Sequence, residues 1–263
     1  MPARGQARRA VPLQWAHMDA MLQATARAED DHFWFKGLRR SAKIMLDAAL
    51  AGRAPARIVD CGAGTGRNLD WLRAYGDAVG VELSRSGLAV ARAHGRRMVQ
   101  GTVASLPIAT ASVDLATSFD VLYCLPDEVE RAALAEMARI LRPGGLALIN
   151  VAALDVLRGA HSTLTLEVRR YTPARLRDRL EAAGLRVERM SYTNCVTFPI
   201  TLAVRTFDRW SGRAARASDA DLRVPAAPMN AVFNLALAAE ARLLRAVNLP
   251  IGTSLMCVAS RRI

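Results

Sequence analysis

The stretch "IVDCGAGTGRN", Ile58 to Asn68, constrains this chain more than any other. Three glycines within five positions follow an apolar run and lead into a helix-like segment. Glycine adopts positive φ without penalty and lets the backbone approach a ligand closely. An apolar strand, a glycine turn and a helix in this order therefore describe a small-ligand cradle. Gly62, Gly64 and Gly66 read G-x-G-x-G, and the position where a dinucleotide fingerprint has its last glycine is Arg67. A triphosphate loop ends in G-K-[ST], and no such ending follows. Asp60 closes the apolar run, at the strand end where open α/β sheets bind ligands.

Along the chain, short apolar runs alternate with helical stretches. "ARIVD" (56–60), "AVGVEL" (78–83), "RMVQGTV" (97–103), "VDLATSF" (113–119) and "LALINVAA" (146–153) read as strands. "NLDWLRAYG", "SGLAVARAHG" and "DEVERAALAEMARIL" read as helices, the last closed by Pro143-Gly144-Gly145. This alternation predicts a parallel sheet covered on both faces. A helix over 172–184 and a strand over 185–192 follow, and "TSLMCVASRR" reads as a closing strand. Five segments are expected: a disordered basic arm (1–12), an N-terminal helical lid (13–54), a core (55–194), a helical cap insertion (195–252) and a final core strand (253–263).

Composition narrows the class. The chain has 263 residues, 52% of them hydrophobic, enough for one large domain with an insertion. No apolar run approaches the ~18 residues of a spanning helix, and the basic N-terminus lacks a secretory apolar region, so a cytoplasmic location is expected. Cys61, Cys124, Cys195 and Cys257 are far apart and form no C-x-x-C pair, which predicts four reduced thiols and no metal site. The net charge of +12 invites a nucleic-acid reading. Yet the cations are nearly all arginine, spread along the chain, and aromatics make up only 5%. No basic run is interleaved with stacking rings, so nucleic acid is not the expected partner.

Glu82 ends the next strand, 22 residues after Asp60. A carboxylate there can accept hydrogen bonds from both hydroxyls of a ribose. Together, "VDCGAGTG", "GVELS", "ASLPIATASVDLATSFDVLYCL" and "ILRPGGLALIN" resemble the successive motifs of a class I S-adenosylmethionine-dependent methyltransferase, of the branch often labelled methyltransferase type 11. The resemblance covers about 56–153. It implies a Rossmann-like seven-stranded sheet with an antiparallel last strand, S-adenosylmethionine as cofactor and S-adenosylhomocysteine as product. It also implies residue roles. Asp60 and the backbone of Cys61, Gly62 and Gly64 would hold the methionine part, with Ala63, Gly66 and Asn68 completing the turn. Glu82 would hold the ribose, Leu83 would pack on the adenine, and Thr102 and Val103 would lie at the adenine edge. Phe119 and Asp120 would lie near the transferable methyl. Thr102 departs from the acid common there, and Cys124 stands where a histidine is usual.

"EDDHFWFKGLRR" is similar to the entry helix of a subgroup of bacterial methyltransferases, and "EVRRYTPARL" to a later segment of the same subgroup. Members often act on lipid-linked, glycan or secondary-metabolite substrates. Trp34 is expected at the donor, although an aromatic cluster on an amphipathic helix equally suits a core. If the acceptor needs a base, His161 and His32 are the candidates, with Tyr171 orienting the acceptor. The implied function is metal-independent methyl transfer to a small-molecule, glycan or lipid-linked acceptor. An RNA methyltransferase and a catalytically silent donor-binding protein are the alternatives, and a homodimer is compatible with the sequence. The cap segment 195–252 carries seven arginines and four acids, a surplus of +3. It is expected to pack beside the acceptor pocket, with contact to an anionic membrane as the competing reading.

Overall fold

A computed structural model of the chain describes residues 13–158, 167–211 and 223–262. Seven strands build one sheet: β1 (Arg57–Cys61), β2 (Asp77–Glu82), β3 (Met98–Gln100), β4 (Val113–Phe119), β5 (Leu141–Ala152), β6 (Leu185–Thr193) and β7 (Ser254–Arg261). Their order is β3-β2-β1-β4-β5-β7-β6. The strands β1 to β5 pair in parallel, whereas β7 runs antiparallel to both β5 and β6. The chain winds outward from β1 to β3, then returns to place β4 on the other side of β1. Ligands bind at such a reversal, beyond the carboxyl ends of the central strands.

Side chains that alternate along each strand divide the core into two layers. Ile58, Leu115, Leu148 and Val258 face one layer, shared with α2 (Phe33–Leu50) and α3 (Leu69–Leu72). Val59, Ala116, Ile149 and Cys257 face the other, shared with α5 (Asp127–Ile140) and α6 (Pro173–Ala182). Burial on both faces is why the central strands read as nearly continuous apolar runs. The remaining helices are α1 (Leu13–Ala28), α4 (Arg85–Ala93), α7 (Phe198–Trp210) and α8 (Ala227–Leu243). All four cysteines are free thiols.

Several expected boundaries shift. The helical pattern of 13–50 divides at Glu29–His32 into α1 and α2, where polar side chains leave the apolar register. The Pro143-Gly144-Gly145 stop lies inside β5, which begins at Leu141 directly after α5. Pairing with β4 slips between Val113 and Leu115, and Gly144 adopts φ +75°, so these residues form a bulge. The third strand ends at Gln100; beyond it Thr102 bridges back to Ser105. The cap segment contributes two helices, and neither lines the large cavity described below. The second, α8, lies along α2: the rings of Phe33 and Phe233 are 4.9 Å apart, and the Phe33 amide donates to Asn230 Oδ1 at 2.9 Å. The arm at 1–12 falls outside the described residues.

The α2–α8 contact depends on Gly37. A Cβ there would lie 2.6 Å from Leu237 Cδ1 and 3.2 Å from Leu237 Cβ. Alanine ordinarily stabilises a helix over glycine by ~0.5–1 kcal/mol, but overpacking costs ~1–3 kcal/mol. Gly37→Ala should therefore lower the melting temperature against the helix-propensity trend. In a Leu237→Ala background the same change should become neutral or stabilising, a coupling of about 1 kcal/mol or more in a double-mutant cycle.

Candidate functional site

At the carboxyl ends of β1, β2 and β4 lies a cavity of about 470 Å³, within the range of small-molecule sites. Its floor is the glycine turn. Gly62, Gly64 and Gly66 take φ values of +77°, +56° and +74°, a region that L side chains rarely adopt. A Cβ at Gly62 would sit 2.6 Å from Val121 Cγ2, so space as well as torsion requires glycine there. The turn's amides are already engaged. Those of Gly62 and Ala63 donate to the Val81 carbonyl at 2.9 and 3.0 Å, and that of Gly64 donates to Glu82 Oε2 at 2.8 Å. A phosphate cradle needs such N–H groups free. This turn suits a ligand that is not a polyphosphate.

Glu82 links the turn to the next helix. Its second oxygen, Oε1, accepts the Ser84 amide at 2.7 Å, and Ser84 Oγ caps α4 by accepting from the Ser86 and Gly87 amides. Burial raises the Glu82 pKa above the ordinary carboxyl value, opposed by the hydrogen bonds from the Ser84 and Gly64 amides. Only 7% of the residue is exposed, and that edge faces the cavity. Each carboxylate oxygen has a further lone pair, so two vicinal hydroxyls can still be accepted.

Behind the turn, Asp60 is 1% exposed and Oδ1 accepts Thr117 Oγ1 at 2.6 Å. Its Oδ2 has no protein partner. Burial is the main cause that pushes its pKa up to about 7, with the nearby Glu82 charge adding to it. Just beyond the end of β4, the cavity-lining Asp120 adopts φ +61°, a conformation that clusters at functional sites. It accepts Asn150 Nδ2 at 3.0 Å. Burial again pushes its pKa up to about 7, opposed by Asn150 and by the Arg170 charge. Burial also holds the Tyr123 phenol well above its ordinary value, so the hydroxyl keeps its proton.

The N-terminal helices form the remaining wall, through Met18, Met21, Leu22 and Thr25 of α1 and Trp34, Phe35, Leu38 and Arg39 of α2. Three polar links hold them there, one of them the pair of Asp30 with Arg67 at 2.5 Å. Asp19 Oδ1 accepts Ser84 Oγ at 2.9 Å and Ser86 Oγ at 2.6 Å. Glu29 Oε2 accepts Thr65 Oγ1, within the glycine turn, at 2.7 Å. The buried Arg96 donates to the Thr65 carbonyl at 2.9 Å and pairs with Asp70 at 2.8 Å.

Comparison with known proteins places this geometry. Residues 59–149 match the model of a methyltransferase domain. A malonyl-[acyl-carrier protein] O-methyltransferase of Erwinia billingiae is 30% identical over 202 residues, 73% of this chain and 78% of that protein. The chain belongs to the class I S-adenosylmethionine-dependent methyltransferases. A probable S-adenosylmethionine-dependent methyltransferase of Mycolicibacterium smegmatis is 30% identical over 165 residues, 60% of this chain and 62% of that protein. The chain spans about half the length of several further curated relatives. Among solved structures, the fold is similar to a 1,6-didemethyltoxoflavin-N1-methyltransferase of Burkholderia thailandensis with bound 1,6-didemethyltoxoflavin and S-adenosylhomocysteine. There the identity is 18% and the TM-score 0.57, covering 99% of this chain and 95% of that one.

Of the residues expected at a methyltransferase donor site, Trp34, Gly62, Ala63, Gly64, Asn68, Glu82, Leu83, Thr102, Val103, Phe119 and Asp120 all line the one cavity. Asp60, Cys61 and Gly66 do not line it: Asp60 and Cys61 end β1, and Gly66 closes the turn with its positive φ. Two of the three residues expected to serve the acceptor, His32 and Tyr171, do not line the cavity. His32 is buried as the N-cap of α2, where Nδ1 accepts the Trp34 amide at 3.1 Å. Tyr171 is fully buried in the core, and its hydroxyl donates to Glu130, which also pairs with Arg169. His161 lies outside the described residues. Sequence reading missed Glu29, Arg39, Thr65, Tyr123 and the α1 residues. Acids at the end of an otherwise amphipathic pattern, at Glu29 and Asp30, were the available signal.

The Asp60 pKa carries a stability consequence. Ordinary carboxyls titrate near 3.8, and this one near 7 in the folded chain. Below the lower value both states are protonated. As pH rises from about 4 to 7 the unfolded chain ionises first, so the folded state is progressively disfavoured. Asp60→Asn keeps the acceptor for Thr117 and cannot ionise. In ligand-free protein its stability advantage over the wild type should grow from pH 4 to 7, by on the order of 1–4 kcal/mol in urea titrations. A pH-independent difference would contradict the assignment.

Proposed function

We propose that this protein transfers the methyl group of S-adenosylmethionine to an acceptor with an apolar body, either a small molecule or a lipid-linked compound. The observation that carries the reading is Glu82, a buried carboxylate fixed by two backbone amides, with its free edge on a cavity whose floor is a glycine turn. The donor fits what is present. Glycine at 62 and 64 leaves those two positions of the turn without side chains, Glu82 accepts ribose hydroxyls, and Leu83, Thr102 and Val103 offer an adenine surface beside it. Arg39 of α2 also lines the cavity and is the cation we assign to the donor's carboxylate, since Arg67 is already paired with Asp30 and Asp70.

A bound sulfonium donor supplies an electrophilic methyl group that an acceptor lone pair displaces in line. The chain's own contribution is alignment and exclusion of water. Trp34, Phe35, Leu38, Val121, Leu125 and Val129 make the acceptor end apolar. The Asp120 carboxyl, with its pKa near 7, is placed to take a proton from a hydroxyl acceptor at neutral pH. Tyr123 stays protonated and serves as a hydrogen-bond donor to the same acceptor.

Calorimetric titration with S-adenosylmethionine and S-adenosylhomocysteine tests the reading directly. Both should bind, and Glu82→Ala should weaken both by at least about tenfold, since hydrogen bonds to a charged acceptor contribute ~1.5–3 kcal/mol. Absence of binding to either ligand would overturn the proposal. With labelled donor, Asp120→Asn should lower turnover of a hydroxyl acceptor by about 10²-fold or more and leave S-adenosylhomocysteine affinity nearly unchanged. Equal losses in both would make Asp120 a binding residue instead.

A further inference from the structure

A helix with apolar residues on all sides normally has all sides covered. α8 does not. Its inner face packs on α2 through Leu237 and Phe233. Its outer face carries Met229, Val232, Leu235 and Leu243 at helical spacing, with Val232 65% and Leu235 69% exposed. The lead-in to α7 joins α8 directly, since the Asn194 and Val196 amides donate to Glu240 at 2.6 and 2.9 Å. On α7, Val204 and Trp210 are also exposed, Trp210 at 86%. An exposed apolar stripe such as that on α8 marks an interaction site.

Charge identifies the occupant. Among the described residues of 196–252, the exposed charged side chains are Arg209, Arg223, Arg242 and Arg245, all cationic. The two acids among those described residues are withdrawn: Glu240 is buried beneath the Asn194 and Val196 amides, and Asp208 lies 3.7 Å from Arg205. A second copy seated on this face would bring two sets of arginines together, which disfavours a symmetric dimer. No helix among the described residues is long and apolar enough to cross a membrane. Aliphatic residues, an exposed tryptophan and an arginine fringe are what a helix lying in the plane of a lipid interface presents.

We propose that the outer face of α8, flanked by α7, docks the protein onto an anionic lipid bilayer. The face is one helix away from the cavity, because α2 carries Leu237 of α8 on Gly37 and supplies Trp34, Phe35 and Leu38 to the cavity wall. Docking there would bring the cavity close to compounds held in the membrane. The inference stands apart from the methyl-transfer reading, since binding is measured without donor.

The test is partition of the full chain onto vesicles of phosphatidylcholine with and without one quarter phosphatidylglycerol, by co-sedimentation. Anionic vesicles should bind at least about tenfold more tightly than neutral ones, and high salt should remove most of that preference. Val232→Glu with Leu235→Glu should abolish partition, and Arg242→Glu with Arg245→Glu should abolish the anionic preference. Both variants should keep wild-type melting temperature and S-adenosylhomocysteine affinity, because the altered residues are exposed and outside the cavity. Trp210 should add a quenching signal with brominated lipid that Trp210→Phe removes. The proposal is overturned if anionic vesicles bind no better than neutral ones at low salt, or if Val232→Glu with Leu235→Glu partitions like the wild type. It is equally overturned if the wild type sediments as a dimer that this variant dissociates, or if polyglutamate binds where vesicles do not.

Discussion

The rest of the site depends on the two backbone hydrogen bonds accepted by Glu82. One comes from Gly64 in the first strand's turn and one from Ser84 at the start of α4, so a single carboxylate fixes the ends of β1 and β2 relative to each other. The arrangement is self-consistent. The Gly64 amide reaches Glu82 only because the turn takes positive φ, and Ser84 is then oriented to cap α4. The price is desolvation of a carboxylate, which its amide partners offset in part. With its partners fixed, the same group presents a pre-oriented acceptor to the cavity, and no further ordering is needed when a ligand arrives.

The N-terminal helices attach to that same unit. Asp19 of α1 accepts from Ser84 and Ser86, and Glu29 at the α1–α2 junction accepts from Thr65. Both links end on residues whose positions Glu82 and the turn already set. The cavity wall formed by α1 and α2 is thus coupled to the donor floor by hydrogen bonds and by apolar contact of Leu22 with the turn. A buried polar network of this kind has little tolerance for partial satisfaction. It gives the wall one position relative to the floor.

The sheet was legible in the sequence because its signals are local. Apolar runs of strand length and glycine turns each act over a few residues. Errors occurred where distant partners decide. The glycines after α5 look like a helix stop, yet pairing with β4 carries the chain into β5 before the bulge. Tyr171 looked like a site residue because it follows two arginines, but Glu130 and Arg169 draw its hydroxyl into the core. His32 looked like a base, but a helix N-terminus needed an acceptor and the imidazole provides it.

The sequence by itself determined the nucleotide-type fold, the glycine turn and the carboxylate at the end of β2, since these rest on backbone torsion and strand-end position, which a short stretch specifies. Only the tertiary structure decided which side chains complete the cavity. Glu29, Arg39 and the α1 residues reach it because two helices cross the mouth of the sheet, a juxtaposition with no local signature. It likewise decided that α8 covers α2 and leaves an apolar outer face. Hydrophobic spacing can state that a helix has an apolar side, but what that side meets depends on elements far away in the chain.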